Sequence, residues 1–355
     1  MSSILRVASS ALIAVAIMGP TAGRAQAPTP PLTPPAPQAT AKPAVKPAPQ
    51  KPAAPPAQTP AAQAPATSDR DADLAYGAFQ RGHYVTAFAM ATRRVEEKSD
   101  AKSMTLLAEL YANGFGVARN DKKAMEWYRL AADRGDREAM FALAMFYLGG
   151  RAGEVNGREG AKLLAAAAKL GHAAAAYDLG LLYIEGQLFP QDFARAAELF
   201  RMAAENGNPE AQFALATLYK EGRGVARDLS EAAKLLAAAA LADNTDAQVE
   251  YAIALFNGTG VAKDELKAAA LLKRAARKGN PVAQNRLANV LAVGRGVQAD
   301  PVEAVKWHIV AKAGGVGDIP LDTFVQKQSP EVRTAAEKAA KPWIDAIKEA
   351  RESRS

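Results

Sequence analysis

Cysteine is absent from the 355 residues. That excludes disulfide bridges, thiolate metal sites, cysteine nucleophiles and a lipoprotein anchor cysteine, and it fits either redox compartment. Histidine is scarce, with His83, His172 and His308 the whole supply. Acidic residues are missing from residues 1–68, which carry five Lys or Arg. The formal net charge of +7 therefore overstates the basicity of the remainder, since residues 69–355 hold only +2. Nucleic-acid binders present a clustered basic face, and this part of the chain has no strong electrostatic reason to seek nucleic acid. Long apolar runs are lacking too. Val7 to Met18 is apolar apart from Ser9 and Ser10, and about a dozen residues fall short of the ~20 that span a bilayer.

That short run, behind Arg6 and ahead of Gly23 and Ala25, reads as a secretory signal peptide over residues 1–25. Cleavage before Gln26 is expected, giving a periplasmic or secreted protein with no stable membrane span. An uncleaved segment would instead make the next stretch a spacer from membrane or wall. Residues 26–68 contain 14 of the 22 prolines, and their only charges are Lys42, Lys46 and Lys51. Such a stretch cannot bury a core, and it reads as an extended Pro/Ala-rich linker.

What the chain does contain is a period. Gly114, Gly150, Gly186, Gly222, Gly258 and Gly294 are each 36 residues apart. The same spacing relates Asn120, Asn156, Asp192, Asp228, Asp264 and Asp300, and also Leu107, Leu143, Leu179, Leu215, Tyr251 and Leu287. A period of this length marks a solenoid or related array. Each copy reads as two helices. Asn208 and Asn280 are expected to cap the first, each followed by proline at the first helical position. A Gly-x-Gly ends it, where a helix terminus needs positive φ. Asp228 and Asp300 then cap the second helix, with Glu231 and Glu303 placed to close a capping box. That helix ends near Gly135, Gly171, Gly207, Gly279 and Gly315, with Asp243 in the remaining copy. Alanine runs at 165–168 and 237–240 predict close approach of neighbouring helices.

The predicted architecture is an all-α solenoid. Residues 69–100 form a shortened leading pair, residues 101–316 six regular copies, and residues 317–355 a helical cap. Within the cap, Asp322–Lys327 and Pro330–Glu349 read as helices, Pro342 as a kink or break, and Trp343 and Ile347 as packing residues.

The motif A-x-x-x-L-A-x-x-Y-x-x-G-x-G-V-x-x-D-x-x-x-A, quoted from Ala211 to Ala232, resembles the Sel1-like repeat, a relative of the tetratricopeptide repeat. The second copy departs from it with Gly150-Arg-Ala-Gly153 and the third with Gly186-Gln-Leu-Phe-Pro190. The resemblance implies an adaptor for a protein or peptide partner. Family relatives serve envelope signalling, polysaccharide secretion and cell-envelope assembly, so envelope components enter as partners. Cysteine-rich secreted relatives linked to β-lactams supply the alternative, a cell-wall-acting or β-lactam-binding enzyme. The absence of cysteine weakens that transfer.

No catalytic, cofactor or metal site is expected. The three histidines lie far apart in the repeat array, and His172 falls on an N-cap register. The Gly-x-Gly loops lack the strand and lysine of phosphate loops. The informative feature is a stripe opposite the core face of the first helices, at positions 5, 9 and 12 of a copy. At 100° per residue, position 9 points ~180° from the core centre. The candidate groove residues are Met145, Leu148, Leu181, Ile184, Thr217, Lys220, Ile253 and Phe256. The related tetratricopeptide fold places this side in its concave groove. The expectation is therefore that the position-9 residues are partly exposed and available to a partner.

Overall fold

A computed structural model describes residues 67–353, with side chains from residue 74 onward. The expected signal segment, and the linker as far as residue 66, lie outside the described residues.

Among the described residues there are sixteen helices and no strand. The leading pair is α1 (Thr67–Gln80) and α2 (Tyr84–Lys98). Six pairs follow: α3 (Ala101–Asn113) with α4 (Asp121–Ala132), α5 (Arg137–Leu148) with α6 (Gly157–Lys169), and α7 (Ala173–Glu185) with α8 (Phe193–Glu205). The series continues with α9 (Pro209–Glu221) and α10 (Leu229–Leu241), α11 (Thr245–Asn257) and α12 (Glu265–Arg277), and α13 (Pro281–Val293) with α14 (Pro301–Ala313). The cap is α15 (Ile319–Gln326) and α16 (Pro330–Glu352). From α1 to α14 each helix packs chiefly on its neighbours in sequence, and α16 passes over α15 to pack on α14, so the architecture is a solenoid whose core grows by addition.

Capping sets the boundaries. Asn208 accepts from Ala211 N at 2.7 Å and Asn280 from Ala283 N at 2.9 Å. His172 does the same with its ring, Nδ1 accepting from Ala175 N at 3.0 Å. The capping boxes are not formed. Asp228 and Asp300 send their own N–H groups to the carbonyls of Tyr219 and Leu291, both at 3.0 Å, which leaves the glutamates no donor to satisfy. Glu231 turns to Lys234, and Glu303 to Lys306 and Trp307. The same bond to the preceding helix is made in the other four copies, by Asn120, Asn156, Asp192 and Asp264. It fixes the angle between the two helices of a pair.

The first glycine of each Gly-x-Gly lies in the left-handed region, as Gly222 does at φ 72°. The second has a further reason to be glycine. A Cβ on Gly224, Gly260 or Gly296 would lie 2.2, 1.9 or 2.1 Å from the backbone oxygen of Phe193, Leu229 or Glu265. Each of those oxygens belongs to the first residue of the previous copy's second helix. The loop therefore rests backbone on backbone against the copy before it. In the third copy the second glycine is replaced by Leu188, and the facing residue is Gly157, where a Cβ would sit 3.0 Å from Leu188 Cδ1. Side chain and gap have changed places.

The alanine runs are inter-helix contacts, with Ala167 and Ala239 fully buried. A core position shared by the second helices is filled by Tyr128, Leu164, Phe200, Leu236 and Leu272, all buried. Removing one such side chain from water contributes roughly 1.5–3 kcal/mol. Phe200 fits because α7 has Gly180 opposite, whose Cβ would lie 2.6 Å from the ring. In the sixth copy the position belongs to His308.

At the N-terminal end Leu74 is 53% exposed, and Ala75 and Ala78 take the core side of α1. At the other end one detail differs from expectation. The last helix runs unbroken through Pro342. Trp343, Ile344 and Ile347 pack against the core beyond the proline, with Trp343 5.0 Å from Trp307 between ring centroids. That docking holds the helix in line although Pro342 donates no hydrogen bond.

Candidate partner-binding face

The stripe at positions 5, 9 and 12 is narrower than its helical angles predict. At position 9, Met145, Thr217 and Ile253 are half-buried and reach solvent. Leu181 does not: it is 6% exposed and belongs to the central core. Position 12 is largely a packing position. Ile184 and Phe256 are buried, and Leu148 lies half-buried over Gly160, whose Cβ would come within 2.8 Å of Leu148 Cγ. Helical angle explains this, since position 12 lies only ~40° from the core-edge position 8. Lys220 is exposed at that position and pairs with Glu250 of the next copy at 2.6 Å. Thr217 Oγ1 donates back to Phe213 O at 3.0 Å.

Beside this stripe runs a row of carboxylates, mostly at positions 2 and 6. Glu138 accepts from His172 Nε2 at 3.1 Å, and that ring stacks on Phe141 with centroids 4.4 Å apart. Asp246 accepts from Asn280 at 2.9 Å. At the C-terminal end, Asp318 accepts from Asn285 and Asn289, both at position-5 or position-9 sites of the last copy. Glu109, at position 9 of the first copy, is pushed up to about 6 by burial and by the nearby Glu138. Asp178 is pushed up to about 7, chiefly by burial, with Glu210 adding to the shift and His172 opposing it. The face is apolar along one line and acidic along the next.

The sequence did not reveal the arginine clamp behind this face. Arg151, Arg223 and Arg295 follow the first glycine of the turn in alternate copies, in a Gly-x-Gly for Arg223 and Arg295 and in Gly150-Arg-Ala-Gly153 for Arg151. Arg151 pairs with Asp121 at 2.7 Å, Arg295 with Glu265 at 2.9 Å, and Arg223 lies 3.9 Å over the Phe193 ring. Their 72-residue recurrence was visible, but what they reach depends on the stacking of copies.

Among the described residues, no group of three metal-ligating side chains comes together. One Ser-x-x-Lys spacing exists, Ser99 to Lys102, and it straddles two helices. Ser99 ends α2 at φ 51° and Asp100 caps α3, so the pair is not presented on one helical turn. His308 Nε2 meets Asp322 at 2.8 Å beside a cavity of about 640 Å³ lined also by Lys312 and Ile344. No described helix is long and apolar enough to cross a membrane.

These features define a class: a repeat solenoid of paired helices, stacked copy on copy. Within that class the chain belongs to the Sel1 repeat family, whose profile matches residues 101–136, 137–172, 173–208, 209–244, 245–280 and 281–316. Among solved structures, it is similar to a Sel1 repeat protein from Oxalobacter formigenes, with 26% identity, 68% of this chain and 96% of that one covered, and a TM-score of 0.59. It is also similar to c5321, a protective antigen of uropathogenic Escherichia coli with the same repeat fold. That match has 27% identity, covers 74% of this chain and 64% of the other, and has a TM-score of 0.50. Comparison with curated proteins gives no match.

Proposed function

We propose that this protein is an exported interaction scaffold that holds a protein or peptide partner along the first-helix face. Sel1 repeat solenoids typically serve as protein–protein interaction scaffolds. The observation that carries the reading for this chain is the pair Met145 and Ile253. Both are apolar and half-buried, packed in part against the core and reaching solvent at the same position of their copies. Apolar side chains kept at a surface in register are what a docking partner covers. Export, and work in envelope signalling, polysaccharide secretion or envelope assembly, is the setting that the sequence of residues 1–68 and the family resemblance support.

The test is affinity capture from the periplasm with the parent protein and with Met145→Glu and Ile253→Glu. The same bound protein should be recovered with the parent and lost with both variants, while their melting temperatures stay near the parental value. Recovery of the same protein at parental yield with both variants would remove this face from the binding surface.

A further inference from the structure

The middle of the face contains a polar cluster left unsatisfied. Tyr177, at position 5 of α7, is 4% exposed, and its hydroxyl has no hydrogen-bond partner among the described residues. Next to it at position 6 is Asp178, and facing it from position 2 of α9 is Glu210, both half-buried. Neither carboxylate makes a hydrogen bond or ion pair among the described residues. Their mutual influence shows in the phenol, which is driven above its usual range by burial first and then by Asp178 and Glu210.

Most of the row is different, Glu109 at its N-terminal end excepted. Glu138 has His172, Asp246 has Asn280, Glu250 has Lys220, and Asp318 has Asn285 and Asn289. His172 cannot serve as the missing cation. Its Nδ1 accepts from the Ala175 N–H, so the ring proton sits on Nε2, which faces Glu138. Two half-buried carboxyl groups and an orphan hydroxyl thus lie together with no hydrogen-bonded or ion-paired lysine or arginine among the described residues.

A buried polar group without a partner is costly, and in a native protein it calls for a reason. A carboxylate is acceptor-only, so two of them side by side ask for a donor with several N–H groups. An arginine fork or a lysine ammonium supplies that together with the compensating charge. Among the described residues no group of three His, Cys, Asp or Glu side chains comes together here to hold a metal ion.

We propose that Tyr177, Asp178 and Glu210 form a receptor for one basic side chain, lysine or arginine, of the partner that docks on this face. The inference rests on the docking reading above and specifies its chemistry: the partner carries a basic residue flanked by apolar ones. The flanking residues lie along the Met145 and Ile253 line, and the basic residue enters at the centre.

The test is selection of random displayed dodecapeptides on the full-length protein and on Asp178→Asn/Glu210→Gln. Peptides from the parent should be enriched in Lys or Arg. A synthetic copy of a selected peptide should bind the double variant at least tenfold more weakly and lose its salt dependence. Tyr177→Phe, which removes only the orphan hydroxyl, should fold normally and weaken the same peptide severalfold. It keeps the question open to measurement should the double variant misfold. Selected peptides without basic enrichment, or peptides that bind the variants and the parent alike, would overturn the receptor while leaving the docking face intact. A selection that yields no peptide would overturn both. Peptide binding seen only after Lys42, Lys46 and Lys51 are changed to Gln would hand the site to the chain's own basic segment, against the partner assigned here.

Discussion

At the scale of single residues, glycines do two different jobs in this chain, and the two have different sensitivities. Gly207 and Gly279 need only positive φ, since nothing lies within 4 Å of a Cβ placed on them. Gly260 needs positive φ and the absence of a side chain, because Leu229 O would be 1.9 Å from its Cβ. Gly279→Ala should therefore lower stability by about 1 kcal/mol, the usual left-handed penalty. Gly260→Ala should lower it by roughly 3 kcal/mol or more, as backbone must move as well. Chemical denaturation of the two variants side by side checks this; equal losses would mean that the loop does not bear on the preceding copy. The positive φ was legible in the sequence from the helix-end register. The close approach was not, because it depends on how one copy stacks on another. Asp178 gives a second residue-scale prediction. Its carboxyl, held near 7 by burial with Glu210 adding, keeps its proton in the folded state at pH values where the unfolded chain, near 3.8, has lost it. The folded state binds more protons between those values, so stability falls as pH rises from about 4 to 7. Thermal melts across that range should show the decline, and Asp178→Asn should reduce it, leaving the part that Glu109, raised to about 6, contributes.

At the scale of helices, sequence reading succeeded where a helix answers to its own residues. The N-caps at Asn208, Asn280 and His172, the helix-ending glycines and the alanine seams follow from local chemistry. Ala239 is fully buried in such a seam, so Ala239→Leu should destabilise by about 1–3 kcal/mol through overpacking. A melting curve matching the parent would displace the seam from α10. The reading failed where a second helix decides. Leu181 sits on the outward side by angle, yet it is buried in the central core. Leu181→Glu consequently places a charge in the core and should unfold the protein, with a drop in melting temperature far larger than that of Ile253→Glu. The capping glutamates are a similar case. Glu231 and Glu303 have the right spacing, but the N–H they would bind is already held by the preceding helix.

At the scale of the whole molecule, the core is a row of neighbouring contacts with no single centre. Damage in one copy should therefore spread only as far as coupling between neighbours carries it. Leu164→Ala, at a fully buried site, should cost about 2–5 kcal/mol. Amide exchange should rise most in α5 to α8, less in the flanking pairs and least at the C-terminal cap. A uniform rise over all sixteen helices would indicate a single cooperative unit instead. The period made this organisation legible from sequence alone, since one unit of 36 residues had to make the same joint six times over.

The joints themselves are not identical. Where the fourth, fifth and sixth copies present a bare loop glycine to the copy before, the third presents Leu188 and finds Gly157 waiting for it. The units are therefore keyed, each shaped for one particular predecessor. A gene rearrangement that moved the third copy behind the fourth would set Leu188 against Leu229 and leave Gly157 facing a gap. This chain can be lengthened or shortened by whole units at its matching joints, but its second and third copies have lost the freedom to be shuffled.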